Sequence, residues 1–157
     1  MHALLPFFQW CNDTAAGAVI RNSRVLFPII ESIHLLALTV LLGTILVMDL
    51  RLMGAGLRRQ PLPLIARSLS PLTFWSLVTM LVTGFLLFSS EAMKSYESPP
   101  FRVKMVMLAL ALLFHFVVFR SAVKSETLGR VRSTATALAS LSLWFGVAVA
   151  GRAIGFY

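Results

Sequence analysis

The stretch that decides the fold is FPIIESIHLLALTVLLGTILVMDLRLMG, residues 27–54. Its apolar part is longer than the roughly 20 helical residues that cross a hydrocarbon core about 30 Å thick. Glu31 and His34 lie on one helical face near its beginning, and Asp49 and Arg51 lie at its end. An ionisable imidazole inside an apolar span is costly, so His34 marks a candidate functional site. We interpret Asp49 and Arg51 as helix-end charges with a structural role, paired with each other or with Arg58.

The composition of the whole chain agrees with a membrane protein. Of its 157 residues, 58% are hydrophobic and 13% are charged, whereas soluble domains carry about 25% charged residues. The formal net charge is +8, but the basic residues occupy short loops between apolar runs. That placement is typical of topology control and not of a phosphate-binding face. We therefore expect contact with the lipid bilayer and no nucleic-acid partner.

Four apolar runs in all are long enough to cross a bilayer. They predict spans over about 25–50, 71–89, 101–118 and 134–156. Runs of about 20 apolar residues indicate helices, because barrel strands alternate apolar and polar residues. The predicted fold class is therefore all-α: an integral membrane, antiparallel four-helix bundle that forms a single domain over residues 1–157. A short N-terminal interfacial segment precedes it, with a surface helix over Thr14–Asn22. Residues 91–101 are expected to form a polar loop.

The basic residues predict the orientation. The loops after spans one and three carry the larger group: Arg51, Arg58, Arg59, Arg67, Arg120, Lys124, Arg130 and Arg132. The other side carries the smaller group: Arg21, Arg24, Lys94, Arg102, Lys104 and Arg152. Because cytoplasmic loops carry the excess of Lys and Arg, we predict a multi-pass protein of the bacterial inner (plasma) membrane. Both termini would then be periplasmic.

Two histidines lie inside predicted spans that run in the same direction. At 1.5 Å per residue, His34 lies roughly 12–15 Å below the periplasmic boundary and His115 roughly 20 Å below it. Imidazoles from two helices at similar depth can ligate one haem iron from opposite faces. We therefore predict His34 and His115 as the metal ligands of a haem b. The alternative is structural, with each histidine donating one hydrogen bond to a neighbouring helix.

Three basic residues on the predicted periplasmic side are candidates for binding the cofactor. Arg102 and Lys104 open span three, and Arg152 lies near the end of span four. Their side chains can pair with haem propionates through charge-assisted hydrogen bonds; the alternative is that they extend to lipid headgroups. Lys104 and His115 are eleven residues apart, nearly on one helical face, which favours a shared site. No residue is assigned a catalytic role.

Other metals fit parts of the pattern. Glu31-x-x-His34 is half of a di-iron helix motif, but Leu112 stands where a second copy would need an acidic residue. Copper is a further option because imidazole and methionine sulfur suit it. The available methionines are Met48, Met80, Met105 and Met107. Methionines in such cores more often fill space.

Four sequence blocks, in this order, resemble an uncharacterised bacterial family of small four-helix membrane proteins. They are IRNSRVLFPIIESIHLLAL, GTILVMDLRLMG, SSEAMKSYESPPFRVKM and VAGRAIGFY. The resemblance covers nearly the whole chain and implies no established activity. A looser similarity links the chain to the copper-resistance D-like membrane domain and the membrane protoporphyrinogen oxidase family. That similarity implies haem b associated with a histidine early in the first helix, here His34, and with a later helix that opens with Lys104 and ends in His115.

These observations predict a haem-b-type membrane electron-transfer protein or subunit. It would pass electrons between a membrane quinone or periplasmic partner and a redox protein, alone or within a larger membrane complex. A stand-alone enzyme is less favoured, since the chain has no phosphate loop, dinucleotide fingerprint or GxSxG turn. Two alternatives stay open: a non-redox accessory or scaffold subunit with structural histidines, and a small copper or solute transporter.

Overall fold

The computed structural model describes residues 5–55, 61–119, 121 and 129–156. Within these ranges the chain is helical and contains no strand. The elements are α1 Leu5–Asn12, α2 Ala15–Asn22, α3 Leu26–Leu52, α4 Leu62–Ser90, α5 Ala92–Glu97, α6 Pro99–Phe114, a π-helical segment His115–Phe119, and α7 Arg130–Ile154. The predicted all-α fold class is confirmed.

Four of these helices are long and apolar enough to cross a membrane. They are α3, α4, α6 with its π-helical continuation, and α7. Most of the span of α6 is not buried inside the protein, and apolar side chains such as Val106 and Leu113 are exposed on it. A surface of this kind is stable against lipid tails and not against water. The chain is therefore a multi-pass membrane protein in contact with the bilayer.

The bundle is built from two antiparallel pairs. α3 packs along α4, α6 packs along α7, and a contact between α3 and α7 joins the pairs. The core lies on the inward face of α3, where Leu41 and Ile45 recur at helical spacing. These side chains meet Met80 of α4, Ala111 of α6 and Trp144 of α7 in one buried cluster. The shared core fixes the register in which polar side chains on different helices face one another.

The two ends of the bundle differ. One end, called the terminal end below, carries α1, α2, α5 and both described chain ends. The helix predicted over Thr14–Asn22 is present there as α2, whose N-cap Thr14 accepts a hydrogen bond of 3.2 Å from the backbone N–H of Gly17. Its placement on the membrane surface stays a prediction. The other end, called the loop end, carries the connections from α3 to α4 and from the π-helical segment to α7.

Two expectations about element boundaries are wrong. The polar loop expected over 91–101 contains the short helix α5, because no Gly or Pro interrupts the chain before Pro99. α4 begins at Leu62, nine residues before the expected start, and it continues through Pro71. Prolines are tolerated at the N-cap and first turn, where Pro61 and Pro63 lie. An interior proline such as Pro71 is tolerated in membrane helices because other groups satisfy the freed carbonyl.

The predicted orientation rests partly on residues outside the described ranges. Arg58, Arg59, Arg120 and Lys124 all lie there. The charge difference between the two ends therefore stays a sequence argument, and the periplasmic placement of the termini stays a prediction. The assignment of residues 1–157 to a single domain also stays a prediction.

Candidate functional site

The side chain of His34 is half-buried between α3 and α4, towards the terminal end. Its Nδ1 lies 3.0 Å from the hydroxyl oxygen of Thr83. That hydroxyl donates its own hydrogen to the backbone carbonyl of Thr79, at 2.6 Å. Because a hydroxyl has one hydrogen, the Thr83 oxygen accepts from Nδ1–H of His34. The backbone carbonyl of Met80 also lies within hydrogen-bonding reach of the ring.

This bonding fixes the state of the imidazole. With the hydrogen on Nδ1, the neutral ring of His34 carries a lone pair on Nε2. Histidines that bind metals usually donate the other ring N–H to a fixed acceptor, which sets both tautomer and orientation. Thr83 has this relation to His34, and the hydroxyl is itself fixed by its bond to the preceding helical turn. In this tautomer the contact with Thr83 does not use the lone pair on Nε2 of His34.

Gly84 makes room for the imidazole. A Cβ atom at this position would lie 3.1 Å from Cε1 of His34 and 3.6 Å from its Nδ1. The first of these distances is shorter than ordinary van der Waals contact, so a side chain would press on the ring. The close approach of α3 and α4 at this depth therefore depends on a residue without a side chain.

Lys104 is the predicted site residue whose charge is near enough to His34 to influence its ring. Its positive charge acts on the imidazole from α6. Its stem lies across Gly151 of α7, where an added Cβ would be 3.5 Å from both Cε and Nζ. Among the described residues Lys104 makes no ion pair; the one salt bridge there joins Lys94 to Glu91. The ammonium group is therefore available to an anionic ligand.

Asp49 on α3 and Ser140 on α7 lie at a different depth in the bundle from His34. His34 and Asp49 are fifteen residues apart on α3, a distance of about 22 Å along the helix axis. Asp49 lies beside Ser140 of α7. The depth of Ser140 is therefore close to the loop end and far from His34.

His115 lies at about the same depth in the bundle as Ser140. α6 and α7 are antiparallel, and their register is fixed by Lys104 on Gly151 and by Met107 on Gly146. Extending this register places His115 opposite about residue 138 of α7, about 16 Å beyond Lys104 along α6. The ligation of one iron by His34 and His115 together stays a prediction, and the proposal below rests on His34 alone.

Arg102 and Arg152 are both exposed at the terminal end. The guanidinium of Arg102 donates to the backbone carbonyl of Tyr96 at 3.0 Å, which ties the start of α6 to α5. The guanidinium of Arg152 lies 5.2 Å from the ring centroid of Phe156. Both contacts are local, and the predicted pairing of these residues with haem propionates stays a prediction.

The other metal interpretations find little support. Glu31 is exposed, and in the described part of the chain no group of three or more His, Cys, Asp or Glu side chains could hold a metal ion. Three of the four candidate methionines belong to the apolar core or pack against it. Met48 and Met80 belong to the buried core cluster, Met105 is exposed, and Met107 contacts Gly146.

The interpretation of Asp49 as a helix-end charge is wrong. Its side chain is completely buried, and neither carboxylate oxygen has a hydrogen-bond partner among the described residues. The sequence held a signal for this: Asp49 follows Ala37, Leu41 and Ile45 at intervals of four residues, and all of them lie on the inward face of α3. A carboxyl group at the fourth position of such a series points into the bundle.

The model of a family of unknown function (DUF6644) matches residues 7–157. The chain belongs to that family. No curated protein and no solved structure matches it. The predicted resemblance to an uncharacterised family is confirmed at this level. The looser similarity to the copper-resistance D-like domain and the membrane protoporphyrinogen oxidases stays a prediction.

Proposed function

We propose that the chain is a haem-b-type membrane protein in which Nε2 of His34 is an axial ligand of the iron. The observation that carries the proposal is the hydrogen bond between Nδ1 of His34 and Thr83. It holds the imidazole in the tautomer that leaves Nε2 free, as in other histidine metal sites.

The surroundings of His34 fit such a group. Haem combines a flat apolar ring with two carboxylates, so it needs apolar walls and at least one cation. Gly84 and Gly151 allow the side chains of His34 and Lys104 to lie directly against the neighbouring helices. The ammonium of Lys104 is the best placed partner for a propionate, by a charge-assisted hydrogen bond. Arg102 and Arg152 are further candidates at the same end.

Bound haem b would supply a one-electron redox centre within the bilayer. In this proposal Thr83 orients the His34 ring, Gly84 keeps the helices close, and Lys104 offsets the charge of the propionates. The protein would exchange electrons with a membrane quinone or a periplasmic redox protein, alone or as a subunit of a larger complex. It would lie in the bacterial inner membrane with both termini periplasmic.

The test is the haem content of the protein purified in mild detergent. We expect a Soret band and a pyridine hemochrome signal from the wild-type chain, and a loss of about tenfold or more in His34→Gln. Gln has a similar shape and can still donate to Thr83, so the helix contact is preserved. Thr39→Val is a matched control on the lipid-facing side of the same helix, where Thr39 bonds only to its own helix, at Leu35. Equal haem content in the wild type and His34→Gln, or none in either, contradicts the proposal.

His115→Gln tests the predicted second ligand separately. If His115 ligates the same iron, the variant changes the optical spectrum of the bound haem from six-coordinate to five-coordinate. If the spectrum is unchanged, the second axial position is not filled by His115. The register favours the second result, because it places the two imidazoles at different depths.

A non-redox accessory subunit is the second candidate, and the same hydrogen bond favours it. The contact between His34 and Thr83 also joins α3 to α4. In that case His34→Gln would leave the function of the host complex unchanged, and the wild-type protein would contain no haem. The optical spectrum of the wild type therefore separates the two candidates.

A further inference from the structure

A second polar site lies inside the bundle, near the loop end. It consists of Asp49 on α3, which is 0% exposed, and Ser140 on α7, which is 1% exposed. Asp49 precedes the last residue of α3 by less than one helical turn. Both side chains therefore lie within a membrane-spanning segment and out of contact with water.

Neither side chain has a hydrogen-bond partner among the described residues. Both carboxylate oxygens of Asp49 and the hydroxyl oxygen of Ser140 are buried without a hydrogen bond in the described part of the chain. The two side chains are nevertheless close, since the Ser140 hydroxyl acts on the carboxyl group.

No cation neutralises this carboxyl group within the described residues. Along most of its length α3 packs against α4 and α7. The charged or titratable groups nearest in register are Arg51 on α3 itself, the exposed Arg67 on α4, Arg130 and Arg132 at the start of α7, and His115 in the π-helical segment, which the register places opposite about residue 138 of α7. None of them forms an ion pair with Asp49.

A carboxylate in this position would be very costly. Moving an ion out of water costs several kcal/mol even after the protein relaxes, unless a counter-charge and hydrogen bonds compensate. A neutral carboxyl group avoids that cost, and its O–H provides the donor that the Ser140 oxygen lacks. Carboxyl groups inside membrane spans commonly serve in proton relays.

We propose that Asp49 and Ser140 form a proton-binding site: Asp49 binds a proton and donates it in a hydrogen bond to Oγ of Ser140. The ligand of this site is the proton itself. This proposal does not depend on the haem proposal, because the two sites consist of different residues: Asp49 and Ser140 here, and His34, Thr83 and Lys104 there.

Labelling with dicyclohexylcarbodiimide tests the proposal in the full-length protein in detergent. This reagent adds across a protonated carboxyl group in apolar surroundings, and the adduct rearranges to a stable N-acylurea without losing any atom. Mass spectrometry then locates the modified residue. We expect Asp49 to be modified at neutral pH at least about tenfold faster than Glu31, an exposed carboxylate on the same helix. Asp49→Asn should remove the adduct, and raising the pH should slow its formation.

Infrared spectroscopy provides a readout that does not depend on access of the reagent. The wild-type protein should show a carboxylic-acid C=O band that shifts in D2O and is missing from Asp49→Asn. If that band is absent from the wild type, Asp49 is ionised and the proposal fails. It also fails if sodium ions protect Asp49 from the carbodiimide at constant pH, because the site would then bind a metal cation in place of the proton.

Discussion

His34 and Asp49 lie on the same inward face of one helix, yet their surroundings are opposite. Nδ1 of His34 has an acceptor in Thr83, and that acceptor is anchored in turn to Thr79. The carboxyl group of Asp49 has no partner of ordinary geometry. The hydrogen bond at Nδ1 holds the His34 ring in one orientation, in which Nε2 can bind a ligand. A buried carboxyl group without hydrogen-bond partners, such as that of Asp49, is stable only when it is neutral. This difference underlies the two proposals, a ligand site at the terminal end and a proton-binding site at the loop end.

Among these substitutions, Gly84→Leu should cause the largest change in the free energy of unfolding. The new side chain would press on the His34 ring, since its Cβ alone would lie 3.1 Å from Cε1. We expect a loss of about 2–3 kcal/mol in the free energy of unfolding, as for other overpacked interiors. Titration with SDS in mixed micelles measures it. Gly43→Leu is the matched control, because no atom lies within 4 Å of a Cβ added at Gly43. Equal losses in the two variants would show that α3 and α4 are not closely packed at His34.

Thr83→Val removes the acceptor and keeps the shape of the side chain. Nδ1–H of His34 is then buried without its acceptor, and we expect a loss of about 1–2 kcal/mol in the free energy of unfolding. Thr83→Ser should restore most of it. Unfolding in the same micelles gives both values, with Thr39→Val as the control. No difference between Thr83→Val and Thr39→Val would mean that Thr83 does not orient the imidazole.

A pair of hydrogen-bonded hydroxyl groups, Thr44 and Thr73, lies between the two sites. The Thr73 hydroxyl lies 3.0 Å from that of Thr44, across the contact of α3 with α4. A double-mutant cycle with Thr44→Val and Thr73→Val should give a coupling energy of about 0.6 kcal/mol, as is typical of hydrogen bonds between membrane helices. A coupling energy near zero would show that this bond does not contribute to the stability of the bundle.

Asp49→Asn should have the smallest effect. If Asp49 is already neutral, an amide of nearly the same shape should change the free energy of unfolding by less than about 0.5 kcal/mol. The change is measured in the same SDS titration, with His34→Gln for comparison at the other end. A loss above about 2 kcal/mol would indicate that a charged carboxylate with specific partners had been removed.

Much of the architecture could be predicted from the sequence, because membrane spans are encoded by length and apolar composition. The four long helices and α2 follow from these signals and from the cap at Thr14. The predicted span begins at about residue 71, whereas α4 begins at Leu62 and continues through Pro71. The local signal of a proline does not show whether packing on both sides keeps the helix intact.

The site was only partly predictable. His34 and Lys104 stood out as ionisable groups at apolar spans, but the sequence grouped Lys104 with His115 because both lie on one helix face. In the structure Lys104 of α6 packs against Gly151 of α7, and its charge reaches His34. The shared site of Lys104 and His115 stays a prediction. Register between helices depends on how side chains fill the core, and no pattern within a single helix specifies it.

Chemical rescue with imidazole tests directly whether Nε2 of His34 binds a haem iron. His34→Ala should abolish the Soret band of the purified protein, and free imidazole added together with haem should restore it by occupying the space that the side chain left. An unchanged band in His34→Ala, or a wild-type protein that shows no haem band at all, would contradict the account.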